Sequence, residues 1–283
     1  MVVAQEDPFP AVAGRGIRRL GAAGVEVTVG VRGAQARRLN EAFRTHVTTG
    51  RPLVTLKLAA TLDGQVATAS GDSRWVSSPA SRARVHRLRA ETDAALVGAG
   101  TARADNPALT VRAVPLGANQ RHPLRVVLDR TGALPPDLKL FADGAAPTLA
   151  VTAGPAEPPY AQALRTLGGA VWTVPQHGGH LDLGAVLDGL GAGACPGGLG
   201  LPGGVRPVQS LLVEAGPGLA TALLAADLAD RVWWFVAPKV AGRGTPATGS
   251  LGTERMADAL AFAESRWETV GPDALLVGYR RAV

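Results

Sequence analysis

Hydrophobic residues are spaced along the chain in two alternating patterns, short apolar runs and longer mixed stretches, and this alternation predicts an α/β fold. Ser78-Pro79 combines a helix cap with a proline suited to the first helical position, and the helix is predicted to run to about Arg89. Apolar runs of strand length lie at 53–60, 94–99, 124–129, 147–152 and 170–174. Because strands and helices alternate, we expect a sheet with parallel components, flanked by helices.

The last quarter of the chain begins with another apolar strand, Ser210–Glu214, which ends in an acid. A glycine turn and a helix over 219–226 follow it. The run 231–239 and a predicted hairpin over 267–281, turning at 271–273, then come without intervening helices. Consecutive strands of this kind form antiparallel edges, so the expected sheet is mixed but mostly parallel.

The first fifty residues have a pattern of their own. It predicts a short strand at 2–4, a helix over 12–23, a half-buried strand over 25–30 and a helix over 34–46. A β-α-β-α unit of this size is too small to bury both faces of its sheet. We therefore divide the chain into residues 1–50, the tail of a larger domain, and residues 51–283, an α/β domain.

Glycine and proline dominate residues 189–207, which predicts a mobile surface loop. The single cysteine, Cys195, lies in this segment and has no partner for an internal disulfide, which suits a reducing cytoplasm. No apolar run approaches the ~20 residues needed to span a bilayer, and the first residues lack the basic and apolar regions of a secretory signal. A cytoplasmic protein is expected.

The net charge is +6, and arginine supplies most of the excess. The arginines are scattered, without basic runs or interleaved aromatic residues, so small anionic ligands are favoured over nucleic acid. His177 and His180 are spaced like metal ligands, but they lack a third ligand nearby, and an exposed loop is the better interpretation. No metal site is predicted.

Two features of residues 51–283 carry candidate chemistry. Lys57 lies within an apolar strand, where an unpaired ammonium is costly, and Glu214 is its natural partner. The pair is either structural or catalytic. The second feature, Gly216-Pro217-Gly218 between a strand and a helix, suits a phosphate-binding helix N-terminus, although a plain tight turn uses the same residues.

Five spaced motifs then identify a resemblance. They are Lys57-Leu-Ala-Ala-Thr-Leu-Asp-Gly, Ser70-Gly-Asp-Ser-Arg-Trp, Leu96-Val-Gly-Ala-Gly-Thr-Ala-Arg-Ala-Asp-Asn-Pro, Leu212-Val-Glu-Ala-Gly-Pro and Val236-Ala-Pro-Lys. From about residue 51 to the end, the chain resembles the reductase domain of the bifunctional riboflavin-biosynthesis deaminase–reductase family. The resemblance implies a dihydrofolate-reductase-like fold and NADPH-dependent reduction of the ribosyl group of 5-amino-6-(5-phosphoribosylamino)uracil to ribityl.

The same resemblance implies a set of site residues. Lys57 and Glu214 match active-site positions. Substrate-binding positions are matched by Ser73, Arg89, Leu109 and Arg112, together with Glu214. Cofactor-binding positions are matched by Ala59, Trp75, Thr101, Asp105, Gly216, Pro217 and Gly218.

Several of these residues also have plainer interpretations. Arg89 could belong to a solvated helix face, Leu109 could be an ordinary buried leucine, and Trp75 could be core. Asp63 of the Asp-Gly pair is expected to make a turn. One departure from the family pattern is Arg130, where a small polar residue is usual; its side chain could reach a cofactor phosphate or point to solvent.

Residues 1–50 resemble the end of the deaminase domain of the same family, through Glu6-Asp-Pro-Phe-Pro-Ala-Val-Ala-Gly-Arg-Gly. A zinc deaminase needs His-x-Glu and Pro-Cys-x-x-Cys, and the sequence contains neither. We therefore expect no deaminase activity from this chain as written, and our hypothesis is that an upstream deaminase portion is missing from it.

Three functions remain open from the sequence. They are a pyrimidine reductase of flavin synthesis, a reductase of the same fold with another substrate, and a non-catalytic binding subunit. The resemblance also implies a homodimer, for which the apolar strand Trp233-Trp234-Phe235 could be an interface or plain core.

Overall fold

The computed structural model describes residues 1–117, 121–155, 157–193 and 206–282. The helices are α1 Arg15–Ala22, α2 Gly33–Leu39, α3 Glu41–Thr49, α4 Pro79–Ala90, α5 Ala99–Asp105, α6 Lys139–Ala142, α7 Pro158–Thr166, α8 Leu183–Ala192 and α9 Pro217–Ala225. The strands are β1 Val2–Val3, β2 Thr28–Val29, β3 Leu53–Thr61, β4 Gln65–Thr68, β5 Ala94–Gly98, β6 Leu124–Leu128, β7 Thr148–Thr152, β8 Gly169–Thr173, β9 Gln176–His177, β10 His180–Leu181, β11 Ser210–Glu214, β12 Arg231–Ala237, β13 Gly244–Pro246, β14 Glu264–Val270 and β15 Asp273–Tyr279.

Within the described residues, nine strands form one sheet in the order β14-β15-β12-β3-β11-β5-β6-β7-β8. From β12 to β8 every neighbouring pair is parallel, whereas β15 pairs antiparallel with both β12 and β14. The sequence prediction of a mixed, mostly parallel sheet with an antiparallel edge is confirmed. β12 supplies Trp233 and Phe235 to the core, whereas Trp234 between them is only partly buried.

The two faces of the sheet are covered by different helices. One face packs against α8 and α9 through residues such as Leu56, Leu211 and Leu223. On the other face, α4 packs over β11 and β12, while α5, α6 and α7 cover β5, β6 and β7. The helices that follow the neighbouring strands β5 and β11 therefore lie on opposite faces. Such a reversal opens a crevice at the carboxyl ends of the strands, where ligands of open α/β sheets bind.

The start of α4 follows the sequence signal. The Ser78 hydroxyl accepts a hydrogen bond from the Ser81 amide at 3.2 Å, and Pro79 occupies the first helical position. The carboxylate of Asp273 also binds the Ser78 amide at 2.7 Å and the Ser81 hydroxyl at 2.5 Å. The cap therefore ties α4 to the turn of the C-terminal hairpin.

Residues 1–50 depart from the predicted pattern. β1 and β2 pair in parallel, but each has two residues, and β2 is exposed rather than half-buried. The predicted helix over 34–46 is divided at Asn40 into α2 and α3. Only Gly14 and Gly33 are buried in this region, because no second layer of the described chain covers it. Its assignment as a separate domain remains a prediction.

The predicted loop over 189–207 is wrong at its beginning, where residues 189–192 complete α8. Asp182 caps this helix by accepting the Ala185 amide at 2.9 Å. A Cβ on Gly191 would lie 1.9 Å from the Gly50 carbonyl oxygen, so a glycine is required where these two segments cross. Residues 194–205, including Cys195, lie outside the described residues.

β9 and β10 form a small exposed hairpin, in which His177 contacts Asp182 at 3.3 Å. Among the described residues, no group of three potential metal ligands comes together. Every helix in this described part of the chain is too short or too polar to cross a membrane.

Candidate active site

The middle of β3 and the carboxyl end of β11 bring the two predicted active-site residues side by side. The strands are adjacent and parallel, and their register places Glu214 opposite Lys57. Paired residues of neighbouring strands point to the same face of a sheet, and this face is the one that α4 covers. Lys57, Arg89, Arg112 and Glu214 together form what we term the substrate end of the crevice.

Glu214 forms its ion pair with Arg89, not with Lys57 as the sequence analysis expected. The Arg89 Nε donates to Glu214 Oε1 at 3.0 Å, and its Nη2 donates to the same oxygen. Arg89 reaches Glu214 from the last turn of α4, and only 6% of its surface is exposed. The guanidinium fork outcompetes the single ammonium because it donates through two nitrogens at once. Arg89 is therefore not part of a solvated helix face.

Lys57 makes no side-chain hydrogen bond or ion pair with any residue that the structure describes. Burial lowers its pKa and nearby Arg89 lowers it further, while Glu214 and Asp105 act in the opposite direction. For Glu214, burial opposes ionisation, but the charges of Arg89 and Lys57 outweigh it and lower the pKa. The site thus holds a stable carboxylate beside an ammonium that releases its proton more readily than usual, as a proton donor requires.

The segment 108–112 lies next to this pair and has no helical or strand structure. Arg89 Nη1 donates to the Thr110 carbonyl at 2.6 Å, which ties the segment to the ion pair. Leu109 has its side chain buried to 2% exposure and its backbone at φ 50°, in the left-handed region. Arg112 is exposed, and its Nη1 donates to the Thr110 hydroxyl at 3.1 Å. Both interpretations of Leu109, a buried side chain and a backbone contact for substrate, are compatible with this geometry.

Two histidines that the sequence analysis missed also contact this segment. The Val111 amide donates to His122 Nδ1 at 3.2 Å, and the Arg112 amide donates to His86 Nδ1 at 3.3 Å. His86 lies three residues before Arg89 on α4, so both side chains project from one side of the helix. That spacing was the only signal of His86 in the sequence.

The cofactor end of the crevice, as we term it, comprises Thr101 and Gly216–Gly218. α9 begins directly after Gly216, with Pro217 at its first position. A Cβ on Gly216 would lie 2.9 Å from the Thr101 hydroxyl oxygen, so the backbone of the turn and the side chain from α5 are in close contact. A Cβ on Gly218 would meet nothing within 4 Å, which leaves open space in front of the helix N-terminus. This arrangement suits the phosphates of a dinucleotide.

The loop with Trp75 lies beside α5. Trp75 is 62% exposed and is not core; the Arg82 guanidinium stacks 4.3 Å from its ring centroid. Arg74 Nη2 donates to the Asp105 carbonyl at 3.0 Å, which joins this loop to the end of α5. Ser73 is half-buried in the same loop, and its hydroxyl makes no hydrogen bond with the described residues.

The remaining predicted positions are simpler. Ala59 lies on β3, two residues beyond Lys57 and on the same face. Asp63 makes the expected turn, accepting the Thr61 hydroxyl at 2.6 Å and the Gly242 amide at 2.7 Å. Arg130 is exposed at the end of β6, whereas Asp129 before it is buried and accepts the Tyr160 hydroxyl at 2.8 Å.

A separate apolar cavity of about 470 Å³ lies between α9, β12 and the segment 248–262. It adjoins the opposite face of the sheet, and its walls include Leu224, Trp234 and Phe262. None of the substrate-end or cofactor-end residues lines it, so it is distinct from the crevice.

Comparison with known proteins decides the family. A sequence profile of the RibD C-terminal domain matches residues 52–276. The chain belongs to the RibD C-terminal domain family. It is 37% identical over 286 residues to the riboflavin biosynthesis protein RibD of Escherichia coli, covering 98% of this chain and 73% of that protein. The family resemblance is thus confirmed.

Solved RibD structures agree with this assignment. The Acinetobacter baumannii RibD matches with a TM-score of 0.80 and 31% identity, over 98% of this chain and 72% of that one. A Thermotoga maritima diaminohydroxyphosphoribosylaminopyrimidine deaminase/5-amino-6-(5-phosphoribosylamino)uracil reductase matches with a TM-score of 0.76 and 30% identity, over 98% and 70%. The predicted reductase fold is confirmed, and the chain spans about 70% of the length of these relatives.

Proposed function

We propose that the chain reduces the ribosyl group of 5-amino-6-(5-phosphoribosylamino)uracil to ribityl with NADPH. Its family makes it an oxidoreductase of riboflavin biosynthesis that acts on a pyrimidine with a nicotinamide cofactor. One observation carries the detailed proposal. The register of β3 and β11 sets Lys57 beside Glu214 between two places suited to anions, the segment around Arg112 and the N-terminus of α9.

The substrate end fits a sugar phosphate. Arg112 is exposed and has N–H groups free to donate to a phosphate. The N–H groups of Arg89 donate mainly to Glu214 and Thr110. In our proposal Arg112 therefore contacts the phosphate, with the Ser73 hydroxyl and the Leu109 backbone beside it. Arg89 contributes positive charge while it holds Glu214 in place.

The cofactor end fits a dinucleotide. Backbone amides at the start of α9 and the space in front of Gly218 would receive its phosphates, and Thr101 borders Gly216. Asp105, at the last position of α5, is assigned to the cofactor by the resemblance. Trp75 offers an exposed ring in the loop that Arg74 joins to the end of α5. The cofactor, when bound, supplies a hydride. The choice of NADPH over NADH rests on the resemblance and is tested below.

The chain's own charged residues would manage the proton transfers of the reaction. The cyclic ribosylamine must open: the C1′–O4′ bond breaks, O4′ gains a proton, and the nitrogen lone pair forms a C1′=N double bond, which gives an iminium cation. Hydride addition to C1′ then neutralises this cation and gives the ribityl amine. Lys57, whose pKa is lowered, is suited to donate a proton, and the Glu214 carboxylate stabilises the positive charge that develops at the imine.

The test is a reduction assay on the purified chain. NADPH absorbance is followed with 5-amino-6-(5-phosphoribosylamino)uracil, and the un-deaminated pyrimidine precursor serves as the second substrate. We expect oxidation of NADPH with the deaminated substrate and none with its precursor, and slower oxidation of NADH. Oxidation with neither compound, while NADPH still binds, would favour the alternative of a same-fold reductase acting on another substrate.

Two further proposals concern the whole assembly. Residues 1–50 are, in our proposal, the C-terminal remnant of a deaminase domain, supported by the motif that begins at Glu6 and by the sparse burial of this region. The resemblance also leads us to propose a homodimer. Sedimentation of the purified chain tests the dimer directly.

A further inference from the structure

Side chains from outside the segment 108–112 bind the backbone of four of its five residues. Arg125 Nη1 donates to the Ala108 carbonyl at 3.2 Å, and Arg89 Nη1 donates to the Thr110 carbonyl at 2.6 Å. The next two amides, those of Val111 and Arg112, donate to His122 and His86. Among the described residues, backbone groups form no hydrogen bonds to this segment. Its conformation therefore depends on four side chains from two separate places in the chain, residues 86–89 and residues 122–125.

The two histidines use the same ring atom in the same role. In each case a backbone amide donates to Nδ1, at 3.2 Å for His122 and 3.3 Å for His86. Nδ1 can accept only when it carries no proton, so each ring must be neutral with its hydrogen on Nε2. The two rings thus fix two consecutive peptide planes, His122 the plane between residues 110 and 111 and His86 the plane between residues 111 and 112.

That peptide plane sets the position of Arg112. The Arg112 side chain leaves a backbone whose amide is bound to His86, and its guanidinium is oriented by the Thr110 hydroxyl at 3.1 Å. We propose that His86 and His122 are positioning residues that hold segment 108–112, and with it Arg112, in the conformation that binds the substrate phosphate. This inference rests on the proposed function, because it assigns Arg112 to the substrate.

The surroundings of His86 favour the neutral ring. Arg89 Nη1 lies 3.4 Å from its Nδ1, and Arg112 is the second cation that faces it. Burial and these two charges lower the pKa of His86 to about 4, against a smaller opposing effect of Glu214 and of a hydrogen bond to the Thr110 backbone. The acceptor is thus maintained throughout the neutral pH range.

The first experiment reads the tautomers directly in the unmodified protein. Long-range ¹H–¹⁵N correlation spectra distinguish a ring protonated at Nε2 from one protonated at Nδ1. We expect His86 and His122 as neutral Nε2–H tautomers. A proton on Nδ1 of both rings at neutral pH would overturn the proposal.

The second experiment separates positioning from folding and from chemistry. Asparagine places an acceptor close to the position of Nδ1, whereas leucine has none, so we compare His86→Asn with His86→Leu, and His122→Asn with His122→Leu. In each leucine variant we expect KM for the phosphorylated substrate to rise about three- to tenfold, the loss of one hydrogen bond, with little change in kcat or NADPH affinity. The asparagine variants should recover most of the lost affinity.

A phosphate probe keeps the result independent of turnover. Binding of ribose 5-phosphate is measured by calorimetry in the unmodified protein and in each variant, with Arg87→Ala on the exposed side of α4 as the matched control. The leucine variants should bind the probe more weakly by the same factor, and Arg87→Ala should not. Equal losses in the asparagine and leucine variants, or a loss confined to kcat, would overturn the proposal. If the unmodified protein binds the probe but reduces no substrate, the proposed function fails while this inference is still tested.

Discussion

The two ends of the crevice consist of different chemical groups, charged side chains at one end and mainly backbone amides at the other. The substrate end relies on buried and partly buried charges, with Arg89 bound to Glu214 and Lys57 beside them. At the cofactor end, the main features are the backbone at Gly216, the start of α9 and one hydroxyl from Thr101. Buried charges can move protons but cost folding free energy, whereas backbone amides bind anions at little cost. Chemistry and cofactor recognition should therefore respond to different substitutions.

The sharpest test of this contrast is Lys57→Met. The ammonium has no partner among the described residues, so the change should not lower the free energy of unfolding, but it should lower kcat by about 10²- to 10⁴-fold through loss of the proton donor. Urea denaturation and steady-state kinetics measure the two effects, with exposed Lys139→Met as the control. A variant that is both active and less stable would assign Lys57 to the fold instead of the reaction.

Arg89→Met, unlike Lys57→Met, should lower the free energy of unfolding. It leaves the partly buried Glu214 carboxylate without its ion-pair partner, so we expect the free energy of unfolding to fall by about 3 kcal/mol. Adding Glu214→Met should restore most of that stability, because the pair is then replaced by apolar groups, yet activity should not return. Urea denaturation of the single and double variants measures this, and exposed Arg87→Met is the control. If the double variant stays as unstable as the single one, the ion pair is not the cause.

The cofactor end should respond to a single methyl group. A Cβ on Gly216 would lie 2.9 Å from the Thr101 hydroxyl and push apart the two walls of the site, so Gly216→Ala should weaken NADPH binding about tenfold. KM for the pyrimidine should change little. The comparison is Gly21→Ala in α1, outside the proposed cofactor site, whose Cβ has open space and which should add about 0.5–1 kcal/mol of helix stability. Fluorescence titration measures the NADPH affinity of both variants. Unchanged affinity in Gly216→Ala would show that this turn does not contact the cofactor.

The smallest expected effect is a difference in pH dependence. The folded-state pKa of Glu214 is below its ordinary 4.5, so its contribution to stability is complete above about pH 4.5 and is lost as the pH falls through the folded pKa. Glu214→Gln should therefore lose stability less steeply in acid than the unmodified protein. Urea denaturation at a series of pH values tests this, and parallel curves would mean that other carboxylates dominate the acid response.

Much of the fold could be predicted because burial in a parallel sheet leaves continuous apolar runs in the sequence. The strands β3, β5, β6, β7 and β11 all follow that signal. α5 was missed, since Gly98-Ala-Gly-Thr looks like a turn when read locally, although its residue Ala102 is fully buried against the sheet. β4 and β13 were also missed, because their pairing depends on the crossing of distant segments and not on local pattern.

The site could be predicted only in part, for a similar reason. The sequence placed Lys57 within one apolar strand and Glu214 at the end of another, and the sheet register sets the two residues opposite each other. The identity of the partner of Glu214 depended on how α4 crosses β11, which local pattern does not specify among four arginines of one helix. The exposure of Trp75 and the roles of His86 and His122 likewise depend on loop geometry.

The position of β3 in the sheet has a consequence for the growing chain. This strand is hydrogen-bonded to β11 on one side and to β12 on the other, and both are synthesised long after it. By contrast, β5, β6, β7 and β8 pair with one another in the order of synthesis. An emerging polypeptide can therefore assemble β5 to β8 early. The strand β3, with Lys57 and its apolar neighbours, completes its pairing only after β11 and β12 have been synthesised. Pairing between strands so distant in sequence slows folding and leaves an apolar strand unpaired and exposed to aggregation. Ribosome-bound chains that stop before β12 should therefore depend on chaperones.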